Sequence, residues 1–145
     1  MEPAVKNPLE TLKAGVQILK GLMSEHRFSD SLTAAGRGSG GTYASAEFLR
    51  GDRRLEVHFR YSLGLVTYHV GNVSLSHEDY MWSVIGERGA SHYPGFSKNP
   101  LDGFRDLRRD LEEHGAAFLA GTDADFLKCA QDAALRKNSG SRLPK

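Results

Sequence analysis

A single cysteine, Cys129, stands among 145 residues. That excludes an internal disulfide framework and paired-cysteine metal sites, and a reducing cytoplasm is the simplest expectation. No apolar run approaches the ~20 residues that a membrane-spanning helix needs. The opening MEPAVKNPLE has no basic segment followed by an apolar one, so no signal peptide is expected. Charge of one sign is also missing: 19 Lys and Arg meet 18 Asp and Glu, for a net charge of +1. The chain thus lacks the basic field of a dedicated nucleic-acid binder and the strong negative charge of a nucleic-acid mimic. Nucleic acid and membrane are not expected partners.

Familiar catalytic patterns are missing too. There is no GxSxG elbow. The run Gly36 to Gly41, GRGSGG, is followed by no Lys-Ser or Lys-Thr, and what comes next reads as a strand. It is a hairpin loop rather than a phosphate cradle, although Arg37 remains available to an anionic partner. His77 begins HED, but Met81 stands where a zinc-binding helix would place its second histidine. The two acids there suit the positive end of a helix dipole without any function. No catalytic set, cofactor or committed metal site is read from these patterns.

What is present is ordinary globular composition, 39% hydrophobic and 26% charged, enough for one domain over 1–137 with a frayed tail over 138–145. Leu9, Leu12, Val16, Leu19 and Leu22 recur at helical spacing from Pro8 to about Met23. Asn7 suits the cap of that helix, and Gly15 weakens its middle. A strand over 28–34 is an open question. Strands follow at 42–49, 54–61 and 65–70, with turns at Arg50 to Arg53 and at Ser62-Leu63-Gly64. Gly71-Asn72 reads as a bulge or bend, after which Val73 and Leu75 extend the last strand.

From Ser76, an N-cap, a helix carries Tyr80, Met81, Val84 and Ile85. Asn99-Pro100 opens a second, with Leu101, Phe104, Leu107 and Leu111 on its apolar stripe. Arg108/Glu112 and Arg109/Glu113 are spaced to pair along its outer side, and His114-Gly115 ends it. Phe118 and Leu119 occupy a short extra turn. Thr122 caps a last helix to about Arg136, which buries Phe126 and Cys129. Cys129 is then a buried thiol, and Trp82, off its helix stripe, is expected to pack in the core. The fold class is α+β: a three- to four-stranded antiparallel meander packed on one face by helices.

The stretch RRLEVHFRYSLGLVTYHV, 53–70, sorts residues onto two faces. Leu55, Val57, Phe59 and Tyr61 point one way, Glu56, His58 and Arg60 the other. A turn centred on Leu63-Gly64 pairs Tyr61 with Val66, Phe59 with Tyr68 and Val57 with Val70. On the outer face it sets His58 opposite His69 and Arg60 opposite Thr67. The neighbouring hairpin sets Glu47 opposite Glu56, Ser45 opposite His58 and Tyr43 opposite Arg60. Tyr43, Glu47, Glu56, His58, Arg60 and His69 are therefore the candidate binding residues on one open face. Three uses fit them. The set is a solvated sheet face, a recognition surface built on Tyr, Arg and His, or a His/Glu cluster for acid/base or metal chemistry.

The succession FLRGDRRLEVHFRYSLGLVTYHVG, LSHEDYM, YPGFSKNPLDGFRDLRRDLEEHGAAFLAG, spanning about 43–121, is similar to small uncharacterised bacterial proteins. Some proteins of that look accompany polymorphic toxins as candidate immunity proteins. The similarity includes His58, Arg60, Tyr68, His77, Tyr80, Pro94, Gly95 and Phe104. It implies a toxin-neutralising inhibitor and brings no catalytic residues with it. The favoured reading is a non-enzymatic cytoplasmic protein that holds a protein partner through its polar sheet face. The alternatives are a small metal-dependent or acid/base enzyme built on His58, His69, Glu47 and Glu56, and a dimeric chaperone-like adaptor, which leaves a homodimer open.

Overall fold

The computed structural model describes residues 8–38, 41–59, 63–86, 93, 99 and 101–141. In chain order these form α1 (Pro8–Glu25), β1 (Ser29–Gly38), β2 (Gly41–Arg50), β3 (Arg53–Phe59), β4 (Leu63–Val70), β5 (Val73–Ser76), α2 (His77–Ile85), α3 (Asp102–His114), α4 (Ala116–Leu119) and α5 (Asp123–Ser141). The fold is α+β, and the sheet is an antiparallel meander in the order β1-β2-β3-β4-β5. It has five described strands where three or four were expected. Of the 28–34 stretch, all but Phe28 joins it within β1, and Val73–Ser76 is a separate strand rather than an extension of β4.

Of two tight turns in the sheet, the one at Gly71-Asn72 makes the last strand separate. Arg50 pairs with Arg53 and Val70 with Val73, so each turn has two central residues, Gly51-Asp52 and Gly71-Asn72. Gly51 and Gly71 hold φ of 58° and 59°, the left-handed region that glycine enters without penalty. A positive φ at the first central position suits the right-handed twist of a hairpin, so the chain reverses there instead of bulging. The Gly71 N–H donates to the Asp52 carbonyl at 3.0 Å, which ties the two turns together.

Along β3 every second residue is buried: Arg53, Leu55, Val57 and Phe59. With Ala44, Ala46, Phe48, Val66, Tyr68, Val70 and Leu75, the three apolar ones (Leu55, Val57 and Phe59) share one core with the helices' Leu12, Leu19, Phe104, Leu107, Phe118 and Phe126. The Phe104 ring stacks on Phe59 and sits directly on Gly15 of α1. Gly15 is therefore not a weak point of α1 but the place where α1 and α3 approach.

Two arginines thought to lie in a turn are structural. Arg53, 5% exposed, donates to the Phe118 carbonyl and, at 3.0 Å, to Asp123 Oδ1. Arg50 donates to the His26 and Leu119 carbonyls at 2.7 and 2.8 Å and lies over the Phe28 ring. Both guanidinium groups satisfy carbonyls at the end of the short helix α4, which would otherwise be orphaned in the core.

Two helix starts carry their expected caps, at Ser76 and Thr122; Asn7 lies outside the described residues, and two helix ends differ from expectation. Ser76 Oγ accepts from the Asp79 N–H at 3.1 Å. Thr122 and Asp125 cap each other reciprocally at 3.0 and 3.1 Å. Asn99 instead opens a turn one step earlier, its Oδ1 accepting from the Leu101 N–H at 2.9 Å, and α3 begins at Asp102. Helix α5 continues past Arg136 to Ser141, since no proline interrupts it before Pro144. Among the described residues no helix is long and apolar enough to cross a membrane.

Candidate functional site

The outward face of the sheet carries a polar network in two parts, Glu47 with Arg54 and Glu56 with His58, His69 and Ser74. Ser45 faces His58 and Glu47 faces Glu56 across β2 and β3, as the sequence pattern requires. The β3–β4 register differs from expectation. Val57 faces Val66 rather than Val70, Leu55 faces Tyr68, and Phe59 faces Leu63, with an irregularity between Val57 and Phe59. His58 thus does not face His69. Arg54 faces His69, and Thr67 faces Glu56.

The reason is tertiary. Leu63 is buried rather than exposed in a turn. The Tyr93 hydroxyl donates to the Leu63 and Gly64 carbonyls, and Leu63 packs against Gly103 of α3. From Arg53 to Val57 the register moves by four residues, an even number, so Leu55 and Val57 stay inward; the irregularity before Phe59 absorbs one residue more and leaves Phe59 and Leu63 buried. Arg60 and Tyr61 lie outside the described residues. Tyr43 is placed by its backbone, opposite Gly36.

The displaced register still unites the two histidines, through a carboxylate. His58 Nε2 lies 2.8 Å from Glu56 Oε2, and His69 Nε2 lies 2.9 Å from Glu56 Oε1. An ionised carboxylate only accepts, so both rings carry a proton on Nε2 and donate it to Glu56. His69 Nδ1 lies 2.8 Å from Ser74 Oγ on β5 and, in the neutral ring, is the acceptor of that pair. Arg54 approaches Glu47 at 3.6 Å on the same face. Burial pushes the Glu56 carboxyl up; the hydrogen bonds from His69 and His58, with the charge of those rings, outweigh it and hold the group below its ordinary value of 4.5.

The network is accessible. Side-chain exposure is 42% at Arg54, 44% at His58 and 29% at Glu56. Among the described residues no group of three or more His, Cys, Asp and Glu side chains is placed to hold a metal ion.

A second histidine network lies in the core, unanticipated by the sequence pattern. The Tyr68 hydroxyl donates to His77 Nδ1 at 2.7 Å, and His77 Nε2 donates to Asp110 Oδ2 at 2.8 Å. The same oxygen accepts the Tyr93 N–H at 2.9 Å. Tyr68 and Asp110 are fully buried and His77 nearly so. Burial pushes the Tyr68 hydroxyl well above its ordinary value, so it stays a donor. The ring of Tyr68 also stacks on Tyr80, with centroids 4.7 Å apart. These buried contacts pin β4, α2 and α3 together. A signal was available: Asp110 falls on the same helical face as Phe104, Leu107 and Leu111, where an acid needs a buried partner.

Cys129 is buried, and burial raises its thiol pKa, as suits an inert side chain. Trp82 is half-buried rather than fully packed in the core. A separate groove of about 440 Å³ runs between α1 and β1, with Leu12, Val16 and Ala46 in its wall and Leu32 at its lip.

Compared with known protein families, curated proteins and solved structures, the chain matches none.

Proposed function

We propose that this is a cytoplasmic binding protein that holds a protein partner through the outward face of its sheet, in the manner of a toxin-neutralising inhibitor. The observation that carries the reading is the mixed-sign network Glu47–Arg54 and His58–Glu56–His69, which is ordered by its own contacts yet exposed at Arg54 and His58. A partner meeting it finds donors and acceptors already positioned, so little side-chain freedom is lost on association. Arginine is also a favoured anchor of binding hot spots. The single thiol, buried at Cys129, suits a reducing compartment.

The test is affinity capture with the whole chain as bait, followed by reconstitution of the recovered partner and titration calorimetry. The expected result is that Arg54→Ala/His58→Ala weakens binding at least tenfold, about 1.4 kcal/mol. Leu32→Glu, in the groove between α1 and β1, should leave affinity unchanged. Loss of binding with the groove variant alone would move the interface off the sheet face. Light scattering at high concentration addresses the adaptor alternative, which requires a dimer.

A further inference from the structure

We propose that Ser74, His69 and Glu56 form a nucleophilic relay on the outward sheet face, able to take an acyl group from a small activated ester or thioester presented from solvent. The geometry comes from strand pairing. His69 faces Ser74 across β4 and β5, and it faces Arg54 on its other side, across β3 and β4. Glu56 stands on β3 two residues beyond Arg54, on the same face. That places a hydroxyl, an imidazole and a carboxylate in sequence, with contacts of 2.8 and 2.9 Å.

These are the three roles of an activated nucleophile. The hydroxyl attacks, the ring takes its proton, and the carboxylate fixes the ring's tautomer and orientation. Glu56 can only accept, so a neutral His69 keeps its proton on Nε2 and turns the bare Nδ1 toward Ser74.

Access separates this relay from the buried one. Ser74 is exposed on β5, the last strand of the sheet, whereas Tyr68, His77 and Asp110 are closed to solvent. Openness also sets the substrate class. These residues supply a nucleophile and a base, so the leaving group must itself depart readily. That favours an aryl ester or thioester over a peptide amide.

The step balances without a further reagent. As the Ser74 Oγ–carbonyl bond forms, the hydroxyl proton passes to His69 Nδ1. As the carbonyl–leaving-group bond breaks, that proton goes to the departing oxygen or sulfur. Water then reverses the sequence: its oxygen bonds to the acyl carbon, its proton passes through His69, and Ser74 recovers its hydroxyl. Ser74 and His69 are the catalytic residues, and Glu56 is a positioning residue.

The experiment uses the purified full chain and a fluorophosphonate probe. The probe's P–F bond breaks as Oγ–P forms, and the hydroxyl proton leaves with fluoride. Peptide mass spectrometry should map one adduct to Ser74, formed faster than any at Ser31, which is likewise exposed on a strand. Ser74→Ala should abolish it. His69→Gln should slow it about a hundredfold, with an unchanged melting temperature.

For Glu56, long-range proton–nitrogen NMR should show the Nε2–H tautomer of His69, and Glu56→Gln should lose that preference. Labelling at Ser74 no faster than at Ser31, or undiminished in His69→Gln, would overturn the proposal. The readout needs no partner, so it stands or falls separately from the binding reading.

Discussion

Two His–carboxylate contacts in this protein have nearly the same length and opposite surroundings, and their removal should cost very different amounts. His77–Asp110 spans 2.8 Å with both side chains essentially buried; His69–Glu56 spans 2.9 Å with Glu56 29% exposed. Asp110→Ala strands two buried donors, the His77 Nε2–H and the Tyr93 N–H. Each unsatisfied donor costs about 1–3 kcal/mol, and breaking a buried pair by removing one partner costs about 3–5 kcal/mol. That is a large share of a typical total stability of about 5–15 kcal/mol.

With a urea slope of about 2 kcal/mol per molar, the midpoint should fall by about 2 M. Glu56→Ala releases its two imidazoles to water and should cost less than about 1 kcal/mol, or about 0.5 M. Asp110→Asn, which keeps one acceptor oxygen, should fall between. Urea unfolding followed by circular dichroism measures all three. A midpoint loss for Asp110→Ala no larger than for Glu56→Ala would refute the argument that burial, and not contact length, sets the magnitude.

Two glycines on α1 should respond to alanine with opposite signs. A methyl at Gly15 would stand 2.5 Å from Phe104 Cγ, so Gly15→Ala should destabilise by about 1–3 kcal/mol despite its better helix propensity. Gly21 is exposed, with only the Arg108 guanidinium at 3.7 Å, so Gly21→Ala should stabilise by about 0.5–1 kcal/mol, read by the same melts. Glu56, held below its ordinary value of 4.5, should titrate low by carbon NMR and move back up in His58→Gln/His69→Gln. Its folded pKa is depressed, so its contribution to stability is complete above the ordinary carboxyl range and is lost as pH falls through the lowered value.

Particular residues show how far the sequence carried the site. Glu47 and Glu56 were placed opposite each other because the Gly51-Asp52 turn is short and local, and such a turn fixes its own register. The β3–β4 register escaped, because Leu63 is equally suited to a turn or to a strand until α3 and Tyr93 compete for it. Ser74 is not legible in the sequence for a related reason: Gly71-Asn72 reads as a bend, and only a full reversal brings Ser74 opposite His69. The Tyr68–His77–Asp110 network joins residues from three elements, and no local spacing links them.

The chain's own pattern determined which side chains face inward and which outward, because alternation survives any even displacement of one strand past another. It also set where the helices lie, the caps at Ser76 and Thr122, and the mixed-charge character of the exposed face. Tertiary structure decided which outward residues meet. A strand pairing is chosen among several of equal hydrophobic merit by contacts from distant segments, here Tyr93 and Gly103 on Leu63, and those contacts exist only once the sheet and helices have closed on one another.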